Sequence, residues 1–135
     1  MSLVLEHVWR TYQVGEGQVV ALHDVSLRIG DGDFLAIVGP SGSGKSTMLQ
    51  ILGLLDRPSQ GGVLLDGQEV SALSDAERTA LRLRGIGFVF QRFHLLKDLS
   101  AIENVALPME TAGIGVRERY ARAAALLTEV GLGDR

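Results

Sequence analysis

The chain has 135 residues, of which 46% are apolar and 21% charged, an ordinary composition for one globular domain with a buried core. Its 13 Lys and Arg residues and 16 Asp and Glu residues give a formal net charge of −3, so we expect no nucleic-acid partner. Cysteine is absent, which excludes disulfides and cysteine metal sites, and no apolar run approaches the roughly 20 residues that cross a bilayer.

Three strands are predicted in the first part of the chain. Residues 2–12 alternate apolar and polar side chains, which is typical of a strand, and 19–29 resume with β-branched residues after a turn at 15–17. A tight turn at 30–33 then leads into 34–38, where apolar side chains occupy consecutive positions. Such a run predicts a strand with both faces buried, as in a covered parallel sheet.

A glycine-rich loop, GPSGSGKST at residues 39–47, follows that run and precedes the apolar stretch 48–55, which predicts a helix. Strand, loop and helix in this order are the context in which the pattern G-x-x-x-x-G-K-[ST] binds phosphate. Glycines let successive backbone N–H groups turn inward, and the helix N-terminus adds further N–H groups and a positive dipole end. Lys45 would place its charge on the β- and γ-phosphates, and the Ser46 hydroxyl would bind Mg²⁺. The loop residues predicted to bind a nucleotide are Gly39, Pro40, Ser41, Gly42, Ser43, Gly44, Lys45, Ser46 and Thr47.

A short strand that ends in an Asp-Gly turn is predicted at residues 61–67. Residues 63–66 also resemble the apolar strand with a terminal Asp that supports Mg²⁺ in P-loop enzymes. However, the segment follows Lys45 closely, and Gly67 stands where a catalytic carboxylate would be needed. A hairpin is therefore predicted here in preference to a metal site.

Two capping boxes, at 74–77 and 100–103, predict the start of two helices. The first is expected to run to about Arg84 and the second to stop near Pro108, because proline lacks the N–H that continues a helix. Arginines in this region could form the mobile lid of a kinase, but a solvated helix face is the preferred interpretation. These arginines are Arg78, Arg82, Arg84 and Arg92.

One further strand and one further helix complete the prediction. The apolar run 86–91 predicts another buried strand, and 116–130 predicts a helix that ends at Gly131. Its apolar residues recur at helical spacing, at Ala123, Leu126, Leu127 and Val130. Residues 113–115, Gly-Ile-Gly, form the only plausible internal hinge.

In order and spacing, these pieces resemble the ATP-binding subunits of ABC transporters from about Leu3 to Arg135. The motifs are an aromatic residue before the second strand, the phosphate loop, GFVFQ at 87–91, and the stretch LL…LSAIENVALP over 95–108. That stretch and VGLGDR at 130–135 are most similar to the lipoprotein-release and macrolide-export branch, although Lys97 stands where proline is expected there.

The resemblance implies an α/β fold, a P-loop NTPase core of the ABC type with an antiparallel β subdomain and the beginning of a helical subdomain. The strands and core would cover about 1–91, and the Q-loop with the start of the helical subdomain about 92–135, within one partial nucleotide-binding domain over 1–135. The signature motif, the acidic strand with the catalytic Glu, and the switch His do not occur in the sequence. We therefore expect a truncated chain with unpaired strand edges that favour aggregation, and hydrolysis near background.

Site residues follow from the resemblance by position. Tyr12 matches the aromatic residue that stacks on adenine, although an amphipathic tyrosine at a strand edge would look the same. Trp9 is a rival aromatic residue, but its register three residues earlier suits the base less well. Gln91 matches the Q-loop glutamine, whose amide reaches Mg²⁺ and the attacking water, although a strand-end glutamine exposed to water would look the same. The resemblance thus implies ATP and Mg²⁺ as cofactors, Lys45 and Gln91 as catalytic residues, and Ser46 and Gln91 as metal ligands.

Partners and location also follow from the resemblance. The segment over about 91–108 would bind an integral-membrane permease, and complete subunits would form a homodimer of nucleotide-binding domains. Such subunits lie in the cytoplasm at the inner face of the membrane, and the N-terminus shows no signal peptide. His7, His23 and His94 are interpreted as structural or surface residues.

Two other classes of function stay open at this point. A small P-loop kinase or other NTPase would need an acceptor pocket and an arginine lid. A non-hydrolysing, ATP-dependent interaction module would bind nucleotide without turnover, and an inert fragment would not bind it at all.

Overall fold

A computed structural model describes residues 1–134 of the chain, and they contain four strands and four helices. They form two compact units, the first unit over Met1–Ile86 and the second unit from Gly87 onward. Arg135, the last residue of the stretch that resembles the export branch, lies outside the described residues. None of the helices in residues 1–134 has the length and apolar character needed to cross a membrane. The subdomain boundary near residue 91 stays a prediction.

One antiparallel sheet organises the first unit, in the order β2-β1-β3-β4. The central strand β1 (Leu3–Val14) pairs with β2 (Gly17–Ile29) on one side and with β3 (Gln60–Leu65) on the other, and β4 (Gln68–Glu69) continues the sheet beyond β3. Irregularities in the register of β1 with β2 fall between Leu5 and Thr11. The predicted antiparallel strands are thus confirmed.

The turn between β3 and β4 has the backbone that an Asp-Gly pair predicts. Asp66 has a φ of 49° and Gly67 a φ of 78°, and positive values at both central residues are those of a type I′ hairpin turn. The Asp66 carboxylate also accepts a hydrogen bond from the Ser2 N–H at 2.6 Å. The hairpin interpretation is confirmed, and this Asp is a turn residue.

The core of the first unit lies between the sheet and α1 (Lys45–Leu52). Leu5 and Val8 of β1, Ile51 of α1 and Val63 of β3 are each at most 1% exposed. Side chains of this kind contribute roughly 1.5–3 kcal/mol each when they leave water. This packing therefore fixes α1, and with it the end of the phosphate loop, on the sheet.

Both predicted capping boxes are present. The Ser74 hydroxyl accepts a hydrogen bond from the Glu77 N–H, and the Glu77 carboxylate accepts one from the Ser74 N–H, at the start of α2 (Asp75–Gly85). Ser100 and Glu103 make the same exchange at the start of α3 (Ala101–Thr111). Each capping box satisfies N–H donors at the helix N-terminus that would otherwise have no hydrogen-bond partner.

The second unit contains α3 and α4 (Val116–Glu129), joined by a short turn. Ala106 of α3 and Ala123 and Leu127 of α4 are buried, whereas Leu126 and Val130 are largely exposed. As predicted, α4 stops just before Gly131, which has a φ of 76°, and the Leu132 N–H donates to the carbonyl oxygen of Leu127 at 2.8 Å.

The strands predicted at 34–38 and 86–91 are not formed, so those two predictions are wrong. Both segments lie outside the sheet, and Phe34, Val38 and Val89 are almost completely exposed. A strand requires hydrogen bonds to a neighbour, and no strand within residues 1–134 pairs with either segment. Their apolar pattern fits burial on both faces, which the described residues do not supply.

Two helix ends also differ from prediction. The helix α3 continues past Pro108 to Thr111, because a proline in a helix removes one N–H donor while its carbonyl still accepts from the Ala112 N–H at 3.0 Å. The helix α1 ends at Leu52, earlier than the predicted Leu55, because Gly53 caps it and Leu54 has a left-handed φ of 56°.

The solvated helix face predicted for the arginines is wrong for Arg78 and Arg82. Arg78 is only 7% exposed, and its guanidinium donates to the carbonyl oxygen of Asp56 at 3.0 Å. Arg82 donates to the carbonyl oxygen of Leu54 at 2.7 Å. The two side chains pair carbonyl groups of the turn after α1, where a helix leaves acceptors without partners.

Candidate nucleotide-binding site

Glycine conformations shape the phosphate loop, which joins residues 34–38 to α1. Gly42 has a φ of 81° and Gly44 a φ of 86°, both in the left-handed region that favours glycine. A Cβ placed on Gly44 would overlap the backbone oxygen of Ala21 in β2. The loop therefore passes β2 at a distance that only glycine allows.

The N-terminus of α1 is built differently from those of α2 and α3. Its N-cap residue is Gly44, no side chain caps it, and no acidic residue lies in its first turn. The capping boxes of α2 and α3 instead direct a serine hydroxyl and a glutamate carboxylate onto the helix N–H groups. An uncapped N-terminus carries unpaired donors and a partial positive charge of about half a unit, which suits an anion.

The Lys45 ammonium lies over the phosphate loop at the start of α1. It donates to the carbonyl oxygen of Pro40 at 2.6 Å and lies 3.4 Å from the Ser43 hydroxyl. None of the ion pairs found within residues 1–134 includes Lys45. Its charge is therefore not committed to a carboxylate there and adds to the positive end of the α1 dipole.

A cleft of about 280 Å³ opens at this position. One wall consists of residues 41–47, whose backbone N–H groups and hydroxyls are hydrogen-bond donors, and the other of Val19, Val20 and Ala21 in β2. The predicted loop residues from Ser41 to Thr47 thus come together around one space. Gly39 and Pro40 are not among the lining residues, and their predicted role, like that of the whole set, stays a prediction.

Tyr12 does not line this cleft, although it pairs across the sheet with Val19, which does. Its hydroxyl donates to the Asp56 carboxylate at 2.8 Å, and the Arg10 guanidinium lies 4.3 Å from its ring centroid. The rival Trp9 ring packs edge-on against His23, with centroids 3.9 Å apart. The predicted stacking of Tyr12 on adenine stays a prediction.

Arg10 and Asp56 are two residues of this region that sequence reasoning missed. The guanidinium donates from Nε and Nη2 to the two carboxylate oxygens, each at 2.8 Å. Partial burial works to raise the pKa of Asp56, but hydrogen bonds from Tyr12, from the Arg57 N–H and from Arg10 outweigh it and hold that pKa below its ordinary value. No local pattern marks the pair, because the two residues are far apart in sequence.

Gln91 belongs to the second unit, where its side chain is exposed at the start of a bend. The rings of Phe88 and Phe90, just before it, stack with centroids 5.5 Å apart, and His94 lies 4.7 Å from Phe90. His94 thus contacts an aromatic ring at the surface. The roles predicted for Gln91 at Mg²⁺ and for 91–108 at a permease stay predictions.

The family model and the most similar relatives that were found all belong to one protein family. A sequence model of the ABC transporter family matches residues 22–135. An uncharacterized ABC transporter ATP-binding protein of Thermotoga maritima is 53% identical over 100% of the chain, which spans 58% of that relative. YknY of Bacillus subtilis, also an uncharacterized ABC transporter ATP-binding protein, is 50% identical over 97% of the chain, which spans 57% of it. A macrolide export ATP-binding/permease protein MacB 1 of Yersinia pestis bv. Antiqua is 53% identical over 98% of the chain, which spans 20% of it.

Solved structures agree with the sequence relatives. The ATP-binding cassette MJ0796, in a dimeric post-hydrolysis state bound to ADP and Pi, superposes with a TM-score of 0.85 at 45% identity. The match covers 93% of this chain and 56% of that one. A further dimeric structure of MJ0796, described as a bacterial ABC transporter cassette, gives the same values. The predicted ABC ATPase fold is thereby confirmed.

Proposed function

This chain belongs to the ABC transporter family, and from that premise we propose that it is the phosphate-binding part of an ATP-binding subunit that couples ATP binding and hydrolysis to a membrane permease of the export or lipoprotein-release type. The chain spans 58% and 57% of the length of the first two relatives, so the activity and partners of a whole subunit belong to this proposal. The observation that carries it is the uncapped N-terminus of α1 beneath the Lys45 ammonium.

The donor set of the cleft fits a polyphosphate. Residues 41–47 offer backbone N–H groups, and the ammonium adds a mobile charge that can leave the Pro40 carbonyl for a phosphate oxygen. Ser46 is among the lining residues, and its hydroxyl would hold Mg²⁺, with Gln91 as a further ligand. When bound, Mg²⁺ would neutralise charge on the β- and γ-phosphates. Lys45 would then act in binding and in charge stabilisation.

The proposed function also includes a site for the adenine base and contacts with two kinds of partner protein. Tyr12 would stack on adenine, and the names of the relatives support ATP as the nucleotide. Phe93, Leu95 and Leu96, within the segment 91–108, are largely exposed apolar side chains of the kind a permease would cover. The dimeric cassettes support a homodimer in the complete protein. Such a subunit would lie in the cytoplasm at the inner membrane face.

The kinase alternative loses support from the arginines. A mobile lid requires free guanidinium groups, whereas Arg78 and Arg82 are bonded to carbonyl groups of the turn after α1. An interaction module without turnover would use the same phosphate loop, so it differs from the proposed function in hydrolysis and not in binding. An inert fragment would bind no phosphate.

Titration with nucleotide tests the proposal. We expect the chain to bind MgATP and inorganic tripolyphosphate, and Lys45→Ala to weaken both. A matched control is Lys97→Ala, the same substitution at an exposed lysine of the second unit. Equal affinity of the Lys45→Ala and Lys97→Ala variants for tripolyphosphate would contradict the proposed site.

A further inference from the structure

Three side chains, Arg10, Tyr12 and Asp56, form a closed cluster, and Tyr12 pairs across the sheet with Val19, which lines the cleft. The carboxylate accepts two hydrogen bonds from the guanidinium and one from the tyrosine hydroxyl, all at 2.8 Å. The guanidinium also lies over the tyrosine ring, 4.3 Å from its centroid. Each member therefore contacts the other two.

The cluster restricts the Tyr12 ring in two ways. Arg10 and Tyr12 project from the same face of β1, because alternate residues of a strand do so, and the guanidinium covers one face of the ring. The hydroxyl is held by a carboxylate that is itself fixed by a bidentate ion pair with both side chains mostly buried, at 23% and 20% exposure. A base that stacks on Tyr12 would therefore have to use the other face of the ring.

The same cluster connects the ring to the phosphate loop through α1. Asp56 follows the end of that helix, and its N–H donates to the carbonyl oxygen of Gln50 at 3.1 Å. Its own carbonyl oxygen accepts from the buried Arg78 at 3.0 Å. The helix spans eight residues, or about 12 Å, from the cleft to this end. The carboxylate that holds Tyr12 is thus anchored to the element whose N-terminus lines the cleft.

We propose that Arg10 and Asp56 are positioning residues that hold Tyr12 as a platform for the base of the nucleotide, in fixed register with the phosphate loop. The inference rests on the proposed function, because it assumes that the cleft takes the phosphates. Neither residue would itself contact the nucleotide. Both act only on the part of the affinity that the base contributes.

Two ligands separate the base from the phosphates, ATP and inorganic tripolyphosphate. Stacking of one base contributes a factor of roughly 5 to 150 in affinity, which tripolyphosphate lacks. We expect Asp56→Asn and Arg10→Lys each to weaken the affinity for ATP by about fivefold or more, with the affinity loss of Tyr12→Ala as the upper limit. Tripolyphosphate should bind within about twofold of wild type in all three variants.

A double variant shows whether Asp56 acts through Tyr12. In a Tyr12→Ala background, Asp56→Asn should cause no further loss of ATP affinity, because the group that it positions is gone. Tyr12→Phe is a milder variant that keeps the ring and removes only the hydrogen bond of the hydroxyl. It should therefore weaken the affinity for ATP, but by less than Tyr12→Ala does. The matched control is Asp24→Asn, which removes the carboxylate of an exposed contact with His7 in the same sheet and should change the affinity for neither ligand.

The outcomes separate the two proposals. Wild-type affinity for ATP in Asp56→Asn, with tripolyphosphate binding that still depends on Lys45, would overturn the positioning role alone. Equal loss of affinity for ATP and for tripolyphosphate in the Arg10 and Asp56 variants would also overturn the positioning role, since a general loss of structure affects the binding of both ligands. Tripolyphosphate binding that does not depend on Lys45 would instead overturn the proposed function.

Discussion

Replacing Gly44 with alanine adds one methyl group at the N-cap of α1, where the phosphate loop passes β2. The φ of 86° at this residue costs a side chain with a Cβ roughly 1–2 kcal/mol. The new Cβ would also overlap the backbone oxygen of Ala21 and lie 3.0 Å from Leu22 Cδ2. Overpacking of this kind adds about 1–3 kcal/mol. We therefore expect Gly44→Ala to lower the free energy of unfolding by about 2–5 kcal/mol.

Gly42→Ala provides the matched control for that contact. Gly42 has a similar φ of 81°, but a Cβ there meets nothing within 4 Å, so only the backbone cost of roughly 1–2 kcal/mol applies. Urea unfolding followed by circular dichroism gives both free energies of unfolding. Gly44→Ala should also weaken the binding of tripolyphosphate, because the shift that relieves the overlap moves the first N–H groups of α1. Equal destabilisation by the two substitutions would refute the close approach of the loop to β2.

Three further predictions address turnover, pH and packing. Phosphate release by the chain with MgATP should stay near background, because the residues that line the cleft include no carboxylate to act as a general base, and turnover that disappears in Lys45→Ala would contradict this. The pKa of Asp56 is lowered from its ordinary value of 3.8, so the ionised carboxylate stabilises the fold above pH 3.8, and this contribution is lost as the pH falls through the lowered pKa. The difference in free energy of unfolding between wild type and Asp56→Asn, measured by urea unfolding, should therefore shrink on acidification. Arg78→Ala should cost about 1–3 kcal/mol in urea unfolding because it leaves a carbonyl oxygen without its donor, whereas the exposed Arg84→Ala should cost much less.

Local sequence signals predicted much of the fold. The capping boxes that begin at Ser74 and Ser100 and the turn at Asp66 depend on a few adjacent residues, so their hydrogen bonds follow from the sequence itself. The stop of α4 at Gly131 is of the same kind. The glycine-rich pattern likewise identified residues 41–47, which line the cleft, but it did not identify the β2 residues on the other wall.

Features that depend on distant neighbours could not be predicted in this way. The apolar runs 34–38 and 86–91 indicate burial, but a strand forms only when another strand pairs with it. Arg78 and Arg82 looked like surface residues because the carbonyl groups they bond belong to the turn after α1. The pairing of Arg10 with Asp56 joins β1 to that same turn across a long stretch of sequence.

Titration calorimetry of the chain with inorganic tripolyphosphate isolates phosphate binding by residues 39–47, because this ligand has no base or ribose. We expect saturable one-site binding that weakens roughly 10- to 150-fold in Lys45→Ala, as expected for loss of a charged hydrogen-bond donor. The Lys97→Ala control should bind like wild type. Absence of binding by a folded wild-type chain, or unchanged binding by Lys45→Ala, would contradict the claim that the phosphate loop holds a polyphosphate.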